Sequence, residues 1–331
     1  MTTALSIAYE GSSGNTQKEM QDVLQLPDTD SRRASFAALY NNFNTNKEYE
    51  FSSANALWIQ KDFPILDSYK SDIIKYYGAH AENVDFVNDY PAAKSKIDSW
   101  VSDNTRGKID KIMPDQKEED MIAITNAVYF KGKWVDAFKK SDTIQEEFRT
   151  TTGKTTAQMM HITKSFSYAE TDQFQAVELP YKGNDLSMIL VLPKQDVIPI
   201  IDQASYEALR KEMSFESVEL SLPKFKLEET YNMIPTMKKL GIQDAFTPNA
   251  DFSGMDGRKD LYIGSITHKT YVNVDEEGTE AAAATKIGMM EMSARAPSRP
   301  IVFKADHPFM FVIQEKSTGA IIFMGRLSDP S

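Results

Sequence analysis

The 331-residue chain is 41% hydrophobic and carries 37 basic against 48 acidic residues, a net charge of −11. The apolar content suffices for a large core, whereas an acidic chain without a basic stripe argues against nucleic acid and anionic membrane as partners. With no cysteine, disulfides and a thiolate nucleophile are both ruled out.

No apolar run reaches membrane-spanning length. The start, "MTTALSIAYEGSSGN", has neither the basic opening nor the apolar length of a leader peptide, and no N-x-S/T sequon occurs. These features point to a microbial or cytosolic protein. No repeat, linker or composition break divides the chain, so one domain is expected over residues 1–331.

"LSIAYEGSSGNTQKEMQDVLQLP" reads as a helix end, a glycine turn and a second helix. Thr16 and Glu19 have capping-box spacing, and Met20, Val23 and Leu24 supply an apolar face. "ILDSYKSDIIKYYG" and "PAAKSKIDSWVSDNTRG" read as further helices, the second running from Pro91 to Gly107. Strands follow: "MIAITNAVYFKGKW", "QAVELPYKGNDLSMILVLP", "SVELSLPKFKL" as one strand, "LYIGSITHKTYVNV" and "PFMFVIQEKSTGAIIFMGRL". Lys182-Gly183-Asn184-Asp185 and Ser317-Thr318-Gly319 are hairpin turns. Helices early and strands later predict an α+β protein with large, mainly antiparallel sheets.

Enzyme signatures are missing. His80, His161, His268 and His307 show no metal-ligand spacing, and no G-x-S-x-G elbow occurs. "TTGKTT" fails as a phosphate loop because Phe148 stands where the leading glycine is needed. His268, in an alternating pattern, reads as a hydrogen-bonded histidine holding neighbouring strands together.

Residues 274–300, "VDEEGTEAAAATKIGMMEMSARAPSRP", pose a different question. From Thr279 one alternate set is Thr279, Ala281, Ala283, Thr285, Ile287 and Met289. The other is Glu280, Ala282, Ala284, Lys286 and Gly288. One face is small to apolar and the other carries the charges, as in a strand with one buried face. The composition also suits a short surface helix or a plain loop.

The long motifs around the segment bear on this choice. "NAVYFKGKWVDAF", "ELPYKGNDLSMILVLP", "LPKFKLEETYNMIPTMKKLGIQDAFTPNADFSGM", "HKTYVNVDEEGTEAAAAT" and "FKADHPFMFVI" resemble serpin segments, in sequence and over essentially the whole chain. The resemblance implies a serpin fold: a main five-stranded sheet able to accept a reactive loop, about residues 276–300, as an extra strand. It implies a suicide-substrate inhibitor of serine proteases, or alternatively a non-inhibitory carrier, chaperone or storage protein. The chain enters, at "TTALSIAYEG", partway along the helix that in the family follows a first helix and a strand, so that first helix and strand are expected to be absent.

The same resemblance places a hinge at Glu276, Glu277, Gly278, Thr279, Glu280, Ala281, Ala282, Ala283, Ala284 and Thr285. Trp134, Lys224 and Glu276 should meet where insertion starts, with Lys224 and Glu276 ion-paired. Asn126 and His268 should sit midway along the sheet. Pro308 and Phe309 belong to the strand region after the loop. The family's loop spacing puts the scissile bond at Met292-Ser293, with Arg295-Ala296 as the rival. The expected partner is an elastase-, chymotrypsin- or subtilisin-like protease, or a trypsin-like one if Arg295 is read. The inhibitor is expected to be a monomer without metal or cofactor. An extracellular site is expected if a missing opening segment holds a leader, a cytoplasmic one otherwise.

Overall fold

The computed structural model describes residues 1–45, 48–115, 121–195, 202–279 and 299–331. In chain order its strands are β1 (Tyr49–Gln60), β2 (His80–Val84), β3 (Ile122–Lys133), β4 (Ile144–Arg149), β5 (Lys154–Glu170), β6 (Phe174–Pro180) and β7 (Leu186–Pro193). Then come β8 (Ser214–Pro223), β9 (Phe225–Asn232), β10 (Ile263–Asp275), β11 (Gly278–Thr279), β12 (Ile301–Lys304), β13 (Phe309–Glu315) and β14 (Ile321–Leu327).

The chain forms two compact units. The first comprises Met1–Lys47, Phe51–Tyr129 and Leu227–Tyr271. Here the strands run in the order β2-β1-β3-β10-β9, with β3 and β10 parallel from Ile122↔Ile263 to Tyr129↔Tyr271. Alternate residues of β3 serve opposite faces, as a pleated strand requires. Ile122 and Ile124 join a core with Leu5, Ile7, Ile73 and Phe252. Ala123, Ala127 and Tyr129 join another with Trp58, Ile97 and Val101. Burial on both faces explains why this strand reads as a nearly continuous apolar run.

The helices of this unit include Thr2–Glu10, Gly14–Leu24, Asp67–Tyr77 and Tyr90–Asn104. The last starts with Asp89 accepting the Ala92 N–H and with Pro91 in its first turn. The capping-box reading of Thr16 and Glu19 is corrected. Helix Gly14–Leu24 begins two residues before Thr16, so Thr16 is already inside it. The Thr16 hydroxyl instead accepts the Asp251 N–H at 3.0 Å, and Glu19 accepts the N–H groups of Gln243 and Asp244 at 2.7 and 2.9 Å. Tertiary partners have taken the groups that local spacing assigned to a cap.

The second unit comprises Glu48–Glu50, Phe130–Lys226 and Val272–Ser331. Its eight-stranded sheet runs β12-β8-β5-β6-β7-β13-β14, with β4 paired to β5. The β6–β7 turn has Gly183 and Asn184 at φ 88° and 61°, the two positive values of a tight hairpin turn. "TTGKTT" closes the β4–β5 hairpin, with Thr150 N–H donating to Gly153 O at 2.8 Å. "SVELSLPKFKL" is two strands rather than one: β8 ends at Pro223, β9 starts at Phe225, and they enter different sheets. Proline, lacking an N–H, ends the ladder. In this unit β11 stands between the ends of β3 and β10, antiparallel to both. The expected five long strands of the main sheet are therefore joined by a two-residue sixth.

Candidate functional site

The end of β3 is shaped by a close approach. Gly278 pairs with Lys133 and Thr279 with Gly132. A Cβ on Gly278, whose φ is +153°, would lie 1.9 Å from Gly132 O; one on Gly132 would lie 2.6 Å from the Phe130 ring. Only glycine fits either place. Beyond them Trp134 turns the chain: its N–H donates to Glu277 O at 2.9 Å and its indole Nε1–H to Asp275 O at 3.1 Å. The Trp134 ring stacks on Tyr181 at 4.5 Å and 17°, and Phe130 meets Tyr181 edge-on at 4.9 Å. At the bottom of this aromatic box, the Tyr181 and Thr279 hydroxyls share a hydrogen bond of 2.7 Å, and both residues are wholly buried. Burial drives the Tyr181 phenol well above its ordinary pKa, against the bond from Thr279, so the phenol stays protonated.

The acidic run is tied down carboxylate by carboxylate. Lys224 Nζ lies 2.9 Å from Glu276 Oε2, and Thr143 Oγ1–H donates to Glu276 Oε1 at 2.9 Å. Burial raises the Glu276 carboxyl, but the bonds from Lys224 and Thr143 outweigh it and hold the pKa below its ordinary value. Lys140 Nζ sits 3.1 Å from Glu277. Asp275 accepts the N–H groups of Glu277 and Gly278 at 2.9 and 3.3 Å, fixing the turn into β11.

In the other unit, His268 and Asn126 are register partners on β10 and β3. The Asn126 amide donates to Asn55 Oδ1 at 2.6 Å. The His268 ring hydrogen-bonds the Asn126 backbone, stacks on Tyr231 at 6.0 Å, and leaves Nδ1 buried without a partner among the described residues. Burial pushes His268 down to about 4 despite the Asn126 bond. The unfolded chain takes up this proton near the ordinary value of 6.5, the folded one only near 4. The stability held by the neutral ring is thus complete above pH 6.5, falls as the unfolded chain takes up the proton, and is lost once the pH has fallen through 4, a loss on the order of 3 kcal/mol. Denaturant unfolding between pH 7 and 4 should show this slope, and His268→Gln should remove it; an unchanged slope in that variant would refute the assignment.

The structure thus brings together Trp134, Lys224, Glu276, Glu277, Gly278 and Thr279, and separately pairs Asn126 with His268. Glu280, Ala281, Ala282, Ala283, Ala284, Thr285, Met292, Ser293, Arg295 and Ala296 lie outside the described residues. Tyr181, Gly132, Thr143 and Lys140 were missed as site residues. Tyr181 and Gly132 do lie inside the quoted motifs "ELPYKGND" and "YFKGKW"; Thr143 and Lys140 carry no local signal.

A two-residue strand wedged between two longer ones, fed by an acidic turn and followed by an alanine-rich run, fits one family in the comparisons. The model described as serpin (serine protease inhibitor) matches residues 1–330. The chain belongs to the serpin family. It is 38% identical over 335 residues to an uncharacterized serpin-like protein of the archaeon Thermococcus kodakarensis, covering 99% of this chain and 78% of that one. Among solved serpins it is similar to Serpin48, a highly specific serpin of the insect Tenebrio molitor. The TM-score is 0.86 at 31% identity, covering 100% of this chain and 90% of that one. Human thyroxine-binding globulin, solved with thyroxine, is similar at a TM-score of 0.90 and 27% identity over the same shares. The α+β serpin fold expected from the motifs is the one observed. Serpins in general are protease inhibitors rather than enzymes, and proteases are their usual partners.

Proposed function

We propose that this serpin inhibits serine proteases as a suicide substrate. The protease attacks a loop bond, forms an acyl-enzyme, and is carried along as the loop's N-terminal arm enters the main sheet before deacylation. One observation carries the reading. Gly278 and Thr279 are hydrogen-bonded between β3 and β10, while these two strands pair directly with each other from Ile122 to Tyr129. An arm continuing from Thr279 has its first rungs made and its path set by the next pairs to part. The arm's sequence suits that path: Ala281, Ala283 and Thr285 are small inward positions in the alternation that starts at Thr279.

In this reading Glu276 to Thr285 form the hinge, and Trp134, Lys224 and Glu276 mark the point of entry. Asn126 and His268 hold β3 and β10 together until the arm arrives. The protein acts as a monomer. A carrier role, as in the thyroxine-bound relative, is the second reading, and a gel separates the two. Incubated with elastase, chymotrypsin, subtilisin and trypsin, an inhibitor gives a complex that survives denaturation with at least one of them. Cleavage by all four with no such complex would reject inhibition.

The bond cut should be Met292-Ser293. Methionine is unbranched and apolar and fills the hydrophobic primary pocket of elastase-, chymotrypsin- or subtilisin-like enzymes. Mass spectrometry of the C-terminal fragment released from the complex should give a peptide starting at Ser293. A peptide starting at Ala296, with trypsin as the enzyme inhibited, would move the assignment to Arg295-Ala296, where an arginine meets a buried carboxylate.

A further inference from the structure

In the second unit β12, the strand that follows the loop, lies parallel to β8, with Ile301↔Val218, Val302↔Glu219 and Phe303↔Leu220 as register pairs. On its other side β8 is antiparallel to β5, pairing Phe215 with Ser167, Ser217 with Ser165 and Glu219 with Thr163. Alternation sends Val218, Leu220 and Phe303 into the interior, where all three are fully buried. The opposite face is left open. Phe215 is 79% and Val302 50% exposed, and Ser217, Glu219, Thr163 and Ser165 are exposed beside them.

Two features of this face point to a partner. Phe215 is the most exposed large apolar side chain among the described residues, and it stands on a face otherwise built of hydroxyls. A large aromatic ring on a polar surface is the usual form of an interface anchor. Glu219 makes no ion pair among the described residues, whereas Lys304 on the same face is held by Glu146 at 2.7 Å. Arg299 belongs to the other alternate set, with Ile301 and Phe303. The unmatched carboxylate lies four residues along β8 from the ring, about 13 Å away.

The position of the face names the partner. β12 is the foot of the loop, and Gln175 Nε2–H donates to Val302 O at 3.1 Å, which holds that foot in place. Where β12 begins, Ile301 lies beside Val218. Phe215 therefore stands three residues further along β8, on the side from which the chain enters β12. Val302 is nine residues beyond Ser293, a span of at most about 32 Å. The rival bond at Arg295-Ala296 is closer still. A protease domain of about 200–250 residues is roughly 40 Å across, so an enzyme seated on either bond reaches this face.

We propose that the face of Phe215, Glu219 and Val302 is a second contact surface for the attacking protease. The enzyme sets an apolar patch on Phe215 and Val302 and a basic side chain on Glu219. The net charge of −11 favours a basic enzyme surface in the same sense. This proposal rests on protease attack at the loop but not on loop insertion.

The test titrates the full chain with elastase, chymotrypsin, subtilisin and trypsin, each with its active serine replaced by alanine, so that binding is read without cleavage. At least one should bind saturably. Phe215→Ser should weaken that binding about tenfold. Glu219→Lys should slow association about fivefold at low salt and less at high salt. Glu216→Lys makes the same change of charge on the other alternate set and should leave binding unchanged. All three side chains are exposed, so the thermal midpoint should stay the same and a folding defect cannot account for the losses. No saturable binding by any of the four, equal affinities in the unaltered protein, Phe215→Ser and Glu219→Lys, or an equal loss in Glu216→Lys would overturn the proposal. Trapping is read separately, with the active enzymes. Binding that depends on Phe215 and Glu219 without a denaturation-resistant complex would support the surface and reject trapping. Trapping at the same rate in the unaltered protein and both variants would reject the surface and leave trapping intact.

Discussion

Thr279→Arg should turn the inhibitor into a substrate, lowering the yield of denaturation-resistant complex at least about tenfold while the loop is still cut. Thr279 is wholly buried, its hydroxyl 2.7 Å from that of Tyr181 and its backbone paired with Gly132 and Val274. Around it stand the rings of Tyr181, Trp134 and Phe130, and among the described residues no carboxylate takes part in that box. A guanidinium placed there loses its water without gaining a partner, a cost of several kcal/mol. The first rung of the inserting arm would then come last or not at all, and deacylation would win. Thr279→Ser, which keeps the hydroxyl, should inhibit nearly normally. Tyr181→Phe, which removes the other half of the bond, should fall between the two. Stoichiometry of inhibition against the chosen protease measures all three. An unchanged stoichiometry for Thr279→Arg, in a protein whose loop is cut at the normal rate, would remove insertion from the mechanism.

The turn into β11 shows what the sequence could and could not disclose. Period-two alternation marked Thr279 as a strand position, because strand periodicity is a local property, and Thr279 lies in β11. The same logic found β3, β10 and the β6–β7 and β13–β14 hairpins, whose turns carry Gly183 and Gly319 at positive φ. What stayed hidden was long-range. Tyr181 meets Thr279 across 98 residues and Thr143 meets Glu276 across 133, and nothing in either partner's own neighbourhood announces the other. The misread cap at Thr16 has the same cause, since its true partner is Asp251, 235 residues away. The split at Pro223-Lys224 was missed for a different reason: apolar residues continue on both sides, and only the change of sheet reveals the break.

Cleaving the loop without trapping a protease should raise the thermal midpoint by more than roughly 20 °C. The direct β3–β10 ladder covers eight register pairs and is parallel. An arm continuing from Thr279 would part these strands and make two ladders in place of one, each antiparallel, as β11 already is with both neighbours. Antiparallel pairing is slightly the stronger per residue. The exchange adds about one net hydrogen bond for each residue inserted, so an arm of about ten residues gains on the order of 10 kcal/mol at about 1 kcal/mol each, before side-chain burial. At roughly 2 °C or more per kcal/mol for a chain of a few hundred residues, the shift is large. The sign is the informative part. A nick in an ordinary protein frees chain entropy in the unfolded state and lowers the midpoint. A rise means that the uncut chain is held in a higher-energy state whose lifetime is set by a barrier rather than by equilibrium. The measurement is a thermal melt before and after limited proteolysis, with mass spectrometry confirming a single cut between residues 285 and 298. A rise of that size in the unaltered protein, reduced in Thr279→Arg, would tie the gain to entry at the Tyr181 box. A midpoint that stays or falls would instead favour the carrier reading, because a protein that cannot take up its own loop has no means of dragging a protease with it.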